Sequence, residues 1–418
     1  MSINLHSQLE LDTSYKLLQL TPDLLNILTN PEYKGDELKF KSLHDNGKSD
    51  VVLCSKEKTW SIKQKNHSNT VLLMKEFVPE DNENDDGEDN DRIETFNMPR
   101  PINDFLGFTK TTFEYETRLS KGEINLEMVP VYDGEKDFFD HNNTKGKKKN
   151  GKISKLQNMS ELIENSCCSE KECLEQWNRL GGCEINGYVC LLSSDFLSKS
   201  LHVVLMSVMA EQLNMDQLTV DETFNAIDKD VGDGFSPYTR EVVKTVLNKF
   251  GTSISKNEDK GTRDVEKYRL DTPEITKWYG ILALKKYVSR SSMALDEFLI
   301  KWKSLFPPFF PCNLDIAMLR GWHFKESNLH DDIGVVDNTN DRHDTSMVRV
   351  QYISRDTLSM DPKQRFQRLF SLQSRWDMED LWPFVEELNI RGLKPDSFVA
   401  KFARRRKVGR RVVISSRG

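Results

Sequence analysis

Pro362-Lys-Gln-Arg-Phe-Gln-Arg-Leu-Phe-Ser-Leu372, then Asp377-Met-Glu-Asp-Leu-Trp-Pro-Phe-Val-Glu-Glu-Leu388, then Pro395-Asp-Ser-Phe-Val-Ala-Lys-Phe-Ala-Arg404 decide the fold. Each run has a helical apolar stripe. The first turns Phe366, Leu369 and Phe370 inward, and the second Leu381, Phe384, Val385 and Leu388. Pro383 inside the second run predicts a kink or a later start. Gly392 closes that turn, and the third run points Phe398, Val399 and Phe402 inward. Arg406 to Ser415, folded around Val408-Gly409, reads as a hairpin. Helices followed by a hairpin give the order of a winged helix.

Upstream the pattern recurs. Asn158-Met-Ser-Glu161 and Ser169-Glu-Lys-Glu172 are capping-box starts. The second opens a helix with Cys173, Leu174, Trp177 and Leu180 on its apolar side, stopped by Gly181-Gly182. Asn186-Gly187 between apolar residues predicts a tight hairpin. Further helices are expected over Phe196–Leu213, Val220–Ile227 and Tyr238–Phe250, with a wing ending at Lys267–Leu270. Pro273–Val288, Leu295–Phe306 and Leu314–Leu319 follow, with strands near Trp322–Phe324 and Val348–Ile353. A repeated unit of this size implies a tandem array of modules, an architecture that binds partners or nucleic acid.

The N-terminal part reads differently. Lys16–Leu20, Glu37–Ser42, Val51–Cys54, Trp60–Gln64, Thr70–Lys75 and Phe105–Leu119 are short apolar or alternating runs that predict strands. Thr21-Pro22-Asp23 opens a short helix through Ile27. The early strands are too few to close a barrel, so their edges need another chain. The expected class is α+β, with a β-rich, barrel-forming region completed by partner chains and then tandem winged-helix modules. The expected divisions are 1–140 with an acidic insert at 79–92, a lysine-rich linker at 141–157, one or two modules at 158–270, another at 271–361, and a basic one at 362–418.

Several chemistries are excluded by pattern. Within Glu80–Asp91, aligning Gly87 with the turn glycine of a calcium loop leaves Ile93 where a bidentate Glu is required. Gly47-Lys48-Ser49 lacks the upstream glycine of a phosphate loop, because Ser42 stands there. Seven cysteines without a Cys-x-x-Cys pair predict buried thiols, not a metal site or disulfide framework. No esterase, zinc-protease or kinase signature is present, so neither an enzyme nor a cofactor is expected. No apolar run reaches the roughly 18 residues of a membrane helix, and Met1–Thr13 lacks a signal-peptide core, which predicts an intracellular protein.

The net charge of −7 is unevenly spread. Lys363–Gly418 holds 14 Lys/Arg against 6 Asp/Glu, a net of +8, leaving −15 for the rest. Lys401, Arg404 and Arg405 are placed on the outer side and end of the last helix, and Arg406, Lys407, Arg410 and Arg411 on the wing. This predicts a cluster of guanidinium groups suited to phosphate oxygens. Asp396 occupies the helix start that would otherwise approach bases, so backbone binding with little sequence preference is expected. An acidic protein partner or a nuclear-import signal is the alternative.

Three blocks carry a family resemblance. They are Val52-Leu-Cys-Ser-Lys-Glu-Lys-Thr-Trp-Ser-Ile-Lys63 with His67-Ser-Asn-Thr-Val-Leu-Leu73, then Cys183-Glu-Ile-Asn-Gly-Tyr-Val189, and Gln364-Arg-Phe-Gln-Arg-Leu-Phe-Ser-Leu-Gln-Ser-Arg-Trp-Asp-Met-Glu-Asp-Leu381. In sequence and order they resemble the sister-chromatid-cohesion Dcc family. The resemblance implies a nuclear, non-catalytic subunit of the alternative replication factor C clamp loader, which acts on PCNA. It implies a β-barrel shared with a small accessory subunit and the C-terminus of the large ATPase subunit. It also implies DNA-associated winged helices and engagement of DNA polymerase epsilon. The competing readings are a winged-helix transcription or chromatin regulator and a protein-only adaptor.

Overall fold

The computed structural model describes residues 4–7, 15–33, 37–42, 50–76, 104–136, 138, 156–230, 235–254, 266–326, 348–389, 392–408 and 411–417. Gly47-Lys48-Ser49, the acidic insert and residues 141–155 of the lysine-rich stretch lie outside them. The chain divides into two compact units, Met1–Pro130 with His141–Leu191, and Val131–Asp140 with Leu192–Gly418.

The first unit opens with β1 (Asn4–Ser7), β2 (Leu18–Gln19), α1 (Pro22–Thr29), β3 (Lys39–Ser42), β4 (Val51–Cys54), β5 (Thr59–Glu76) and β6 (Asp104–Ser120). The strand order is β1-β6-β5-β4-β3, and β2 lies beside β6. Both β1 and β2 run parallel to β6, at Asp104–Gly107 and Tyr115–Glu116. Trp60–Gln64 and Thr70–Lys75, expected as separate strands, form one. The polar residues around His67 do not turn the chain, because β6 templates both halves across a register shift between Asn66 and Val71. Among the described residues the sheet stays open. β4 pairs only with Thr59–Ser61 of β5, so Ile62–Glu76 has no strand on that side among the described residues.

Helix α1 starts on a Thr21 cap, whose hydroxyl accepts from Leu24 N, with Pro22 in its first turn. It buries Leu24 against Leu53 and Trp60. Leu25 and Leu28 stay half exposed.

After a two-residue strand β7 (Val131–Tyr132) come α2 (Met159–Glu164), α3 (Glu170–Leu180), β8 (Gly182–Ile185) and β9 (Tyr188–Leu192). Both predicted capping boxes form. Gly181 ends α3 at φ +81°, and Asn186 and Gly187 turn the β8–β9 hairpin with positive φ. Cys173 and Trp177 face the core of α3, whereas Leu174 and Leu180, expected inside, are exposed. Glu172 fastens α3 to the sheet: it accepts from the Thr59 and Ser169 hydroxyls and from Gly122 N. Lys41 Nζ makes a second tie, donating to Ile163 O at 2.6 Å and Cys168 O at 2.9 Å.

The second unit is mostly helical. Helices α4 (Ser194–Ala210), α5 (Val220–Asp230) and α6 (Arg240–Phe250) precede the hairpin β10 (Gly251–Ile254) and β11 (Lys267–Leu270). Next come α7 (Thr272–Tyr287), β12 (Met293–Ala294), α8 (Leu295–Lys303), a 3-10 turn at Ile316–Leu319, β13 (His323–Glu326) and β14 (Arg349–Tyr352). The last set is α9 (Pro362–Leu372), β15 (Arg375–Asp377), α10 (Met378–Val385), α11 (Pro395–Val399), β16 (Arg404–Val408) and β17 (Arg411–Ser415). Pro383 lies inside α10, which gives way to a 3-10 turn at Glu386–Leu388.

The last two sets repeat one order: helix, strand, helix, one or two short helical segments, two strands. In each, the first strand pairs with the last, giving β12-β14-β13 and β15-β17-β16. Phe366, Leu369, Trp376, Leu381, Phe384, Val385, Phe398 and Ile414 fill the final core.

Six cysteines are buried free thiols and Cys312 is half-buried. Among the described residues no His/Cys/Asp/Glu group is placed to hold a metal, and no helix is long and apolar enough to cross a membrane.

Candidate nucleic-acid interface

The expected third helix, Pro395 to Arg404, is shorter than its apolar spacing suggests. α11 ends at Val399, and Lys401 N and Phe402 N reach back only to Phe398 O and Val399 O. The chain then extends because β17 offers it a ladder, pairing Arg404 with Ser415. Lys401 therefore lies in a turn, and Arg404 and Arg405 lie on a strand, not at a helix end.

Strand alternation divides the cations between two faces. Arg405 and Lys407 lie opposite Ile414 and Val412. Ile414 is buried and also lies opposite Trp376, so this is the core-facing side. Arg404 and Arg406 lie opposite Ser415 and Val413, on the outer face. Arg411 shares that face by its spacing from Val413 and Ser415. So does Arg375, which lies opposite Ser415 on β15. The outer face thus carries Arg375, Arg404, Arg406 and Arg411, all exposed. Arg375 was not singled out in the sequence: a three-residue strand is too short to show a period, although it stands directly before the buried Trp376. Arg410 lies outside the described residues.

One ion pair falls on each face. Arg405 Nε lies 3.5 Å from Asp396, which partly offsets that carboxylate's repulsion of phosphate. Arg411 lies 3.9 Å from Asp377. Both pairs are solvated and contribute little to stability. Lys401, Arg404, Arg406 and Lys407 make no ion pair among the described residues. Arg365, counted in the basic charge of this region, is only 1% exposed and is held by Glu387, Phe384 O and Ser359 O. It stabilises the core and offers nothing to a ligand.

A family model described as "Sister chromatid cohesion protein Dcc1" matches residues 15–385. The chain belongs to the sister chromatid cohesion protein Dcc1 family. The matched span of this Dcc1-family chain takes in the open sheet from β2 onward and stops before β16 and β17. The chain is 51% identical over 417 residues to sister chromatid cohesion protein DCC1 of Saccharomyces cerevisiae, covering 100% of both. That relative spans the basic hairpin too. The protein of the same name from Homo sapiens is 25% identical over 374 residues, 89% of this chain and 80% of its own length. A probable DCC1 of Dictyostelium discoideum is 21% identical over 406 residues, 94% of this chain and 91% of its own. The family is named for sister chromatid cohesion and not for a reaction.

Proposed function

We propose that this chain is a non-catalytic, nuclear subunit of an alternative replication factor C clamp loader acting on PCNA in DNA replication and sister chromatid cohesion. Its N-terminal sheet is completed by the large ATPase subunit and a small accessory subunit. Its helical modules are winged helices that hold DNA by the backbone and link the loader to DNA polymerase epsilon. Family membership supports the cohesion role. The assembly reading rests on one observation, the unpaired side of β5 from Ile62 to Glu76. A strand edge of that length aggregates unless another chain pairs with it.

The winged-helix reading draws on the strand that precedes the second helix and pairs with the last strand of each hairpin. The outer face of the last hairpin then forms a phosphate-binding wing. Native purification of the full chain tests the proposal. An ATPase subunit and a small subunit in stoichiometric amounts are expected. Recovery as a stable monomer contradicts the assembly, and a sequence-specific footprint on duplex DNA contradicts backbone binding.

A further inference from the structure

A trough of about 700 Å³ runs along α4 and α7 in the second unit, away from the basic hairpin's own residues. Asp195, Lys199 and His202 reach it from one side of α4 at helical spacing, and Tyr279, Leu282 and Lys286 from one side of α7. Its floor is apolar and fixed. Tyr279 is 5% exposed, packs on Phe306 with centroids 4.6 Å apart, and meets His202 Nδ1 at 3.2 Å through its hydroxyl. Tyr238 stacks on Phe196 at 6.0 Å.

The rim is cationic. Lys285 Nζ stands 5.8 Å over the Trp322 ring, and Lys286 Nζ stands 5.1 Å over the Tyr287 ring. Together with Lys199, these ammonium groups form no ion pair among the described residues. Among the described residues, Asp195 is the one acid lining the trough.

We propose that this trough docks an acidic peptide segment of a partner protein, with a large apolar side chain seated on Leu282 and Leu305 and carboxylates over the three lysines. Charge complementarity selects an acidic occupant, and rows of residues from two helices suit an amphipathic segment. Nucleic acid fits less well. A duplex backbone brings no apolar group for the floor. Single strands stack bases on open ring faces, but Tyr279 is covered and Tyr238 has one face on Phe196.

Fluorescence anisotropy of the full chain tests the proposal. The probe is a labelled amphipathic peptide with Glu and Asp on one face and Leu and Phe on the other. Its Kd should rise at least about tenfold in a Lys199→Glu, Lys285→Glu, Lys286→Glu variant, and about as much when its Leu and Phe become Ser. The variant should keep its far-UV circular dichroism and a cooperative melt, since all three lysines are exposed. The proposal is overturned by no saturable binding of the probe, by binding that survives the lysine changes, or by equal binding of the Ser peptide. A labelled single-stranded DNA that occupies the trough more tightly, and loses binding in the same variant, also overturns it.

Discussion

Arg365 illustrates how far one residue's role can lie from its formal charge. Its guanidinium donates to Ser359 O at 2.6 Å, Phe384 O at 3.0 Å and Leu358 O at 3.3 Å, and pairs with Glu387. Arg365→Ala leaves buried carbonyls and a carboxylate unpaired beside a cavity. It should cost about 3–5 kcal/mol, and Arg365→Lys should recover little because a lysine cannot reproduce the fork. Urea unfolding measures this, and a loss below about 1 kcal/mol refutes it. Two partly buried carboxylates contribute to the acid limb. Burial alone would raise Asp380, but Lys325 Nζ at 2.8 Å and Arg320 Nε at 2.9 Å hold it below its ordinary range. Burial would likewise raise Glu172, but the Thr59 and Ser169 hydroxyls hold it low. Folded values below the ordinary 3.8 and 4.5 mean that this stability is complete above those values and is lost as pH falls through the lower, folded ones. Denaturation followed from about pH 7 down to about pH 3 should show that fall, and Asp380→Asn should make it shallower. An unchanged acid limb in that variant contradicts the assignment.

Among the elements, the β15-β17-β16 sheet carries the DNA prediction. Replacing Arg375, Arg404, Arg406 and Arg411 by Ala should weaken DNA binding equally across sequences and lower the salt slope by about one for each lost phosphate contact. Arg405→Ala should do much less, because Arg405 lies on the opposite face of the hairpin and pairs with Asp396. An unchanged slope in the fourfold variant contradicts the phosphate-binding face. How legible each element was follows from its length and setting. α9 and α10 were readable because Phe366, Leu369, Leu381, Phe384 and Val385 repeat with the helical period and do pack inside. β12 and β15 were not, since two or three residues carry no period. The C-terminal half of the expected third helix was lost to a ladder with Ser415 from a strand later in the chain, and only tertiary structure reveals that competition. The polar residues around His67 misled in the opposite direction: they look like a turn, but they sit in a long strand held by β6.

At the scale of the whole molecule, an acidic chain with a basic end carries a sheet that its described strands leave open. α1 and α3 cover part of that sheet, through Leu24 and through Glu172 with Thr59. Nothing among the described residues pairs with β5 beyond Ser61 on its β4 side. The full chain expressed alone should therefore self-associate, and co-expression with the two proposed loader subunits should restore a discrete species by size-exclusion chromatography. Amide hydrogen exchange across Ile62–Glu76 tests the central claim most directly. In the isolated chain, kept dilute enough to be monomeric, the amides on the open side should exchange quickly while those bonded to β6 are slow. In the purified assembly, the open-side amides should become slow as well. Protection that is already complete in the isolated chain, or that does not change on assembly, contradicts completion of this sheet by a partner strand.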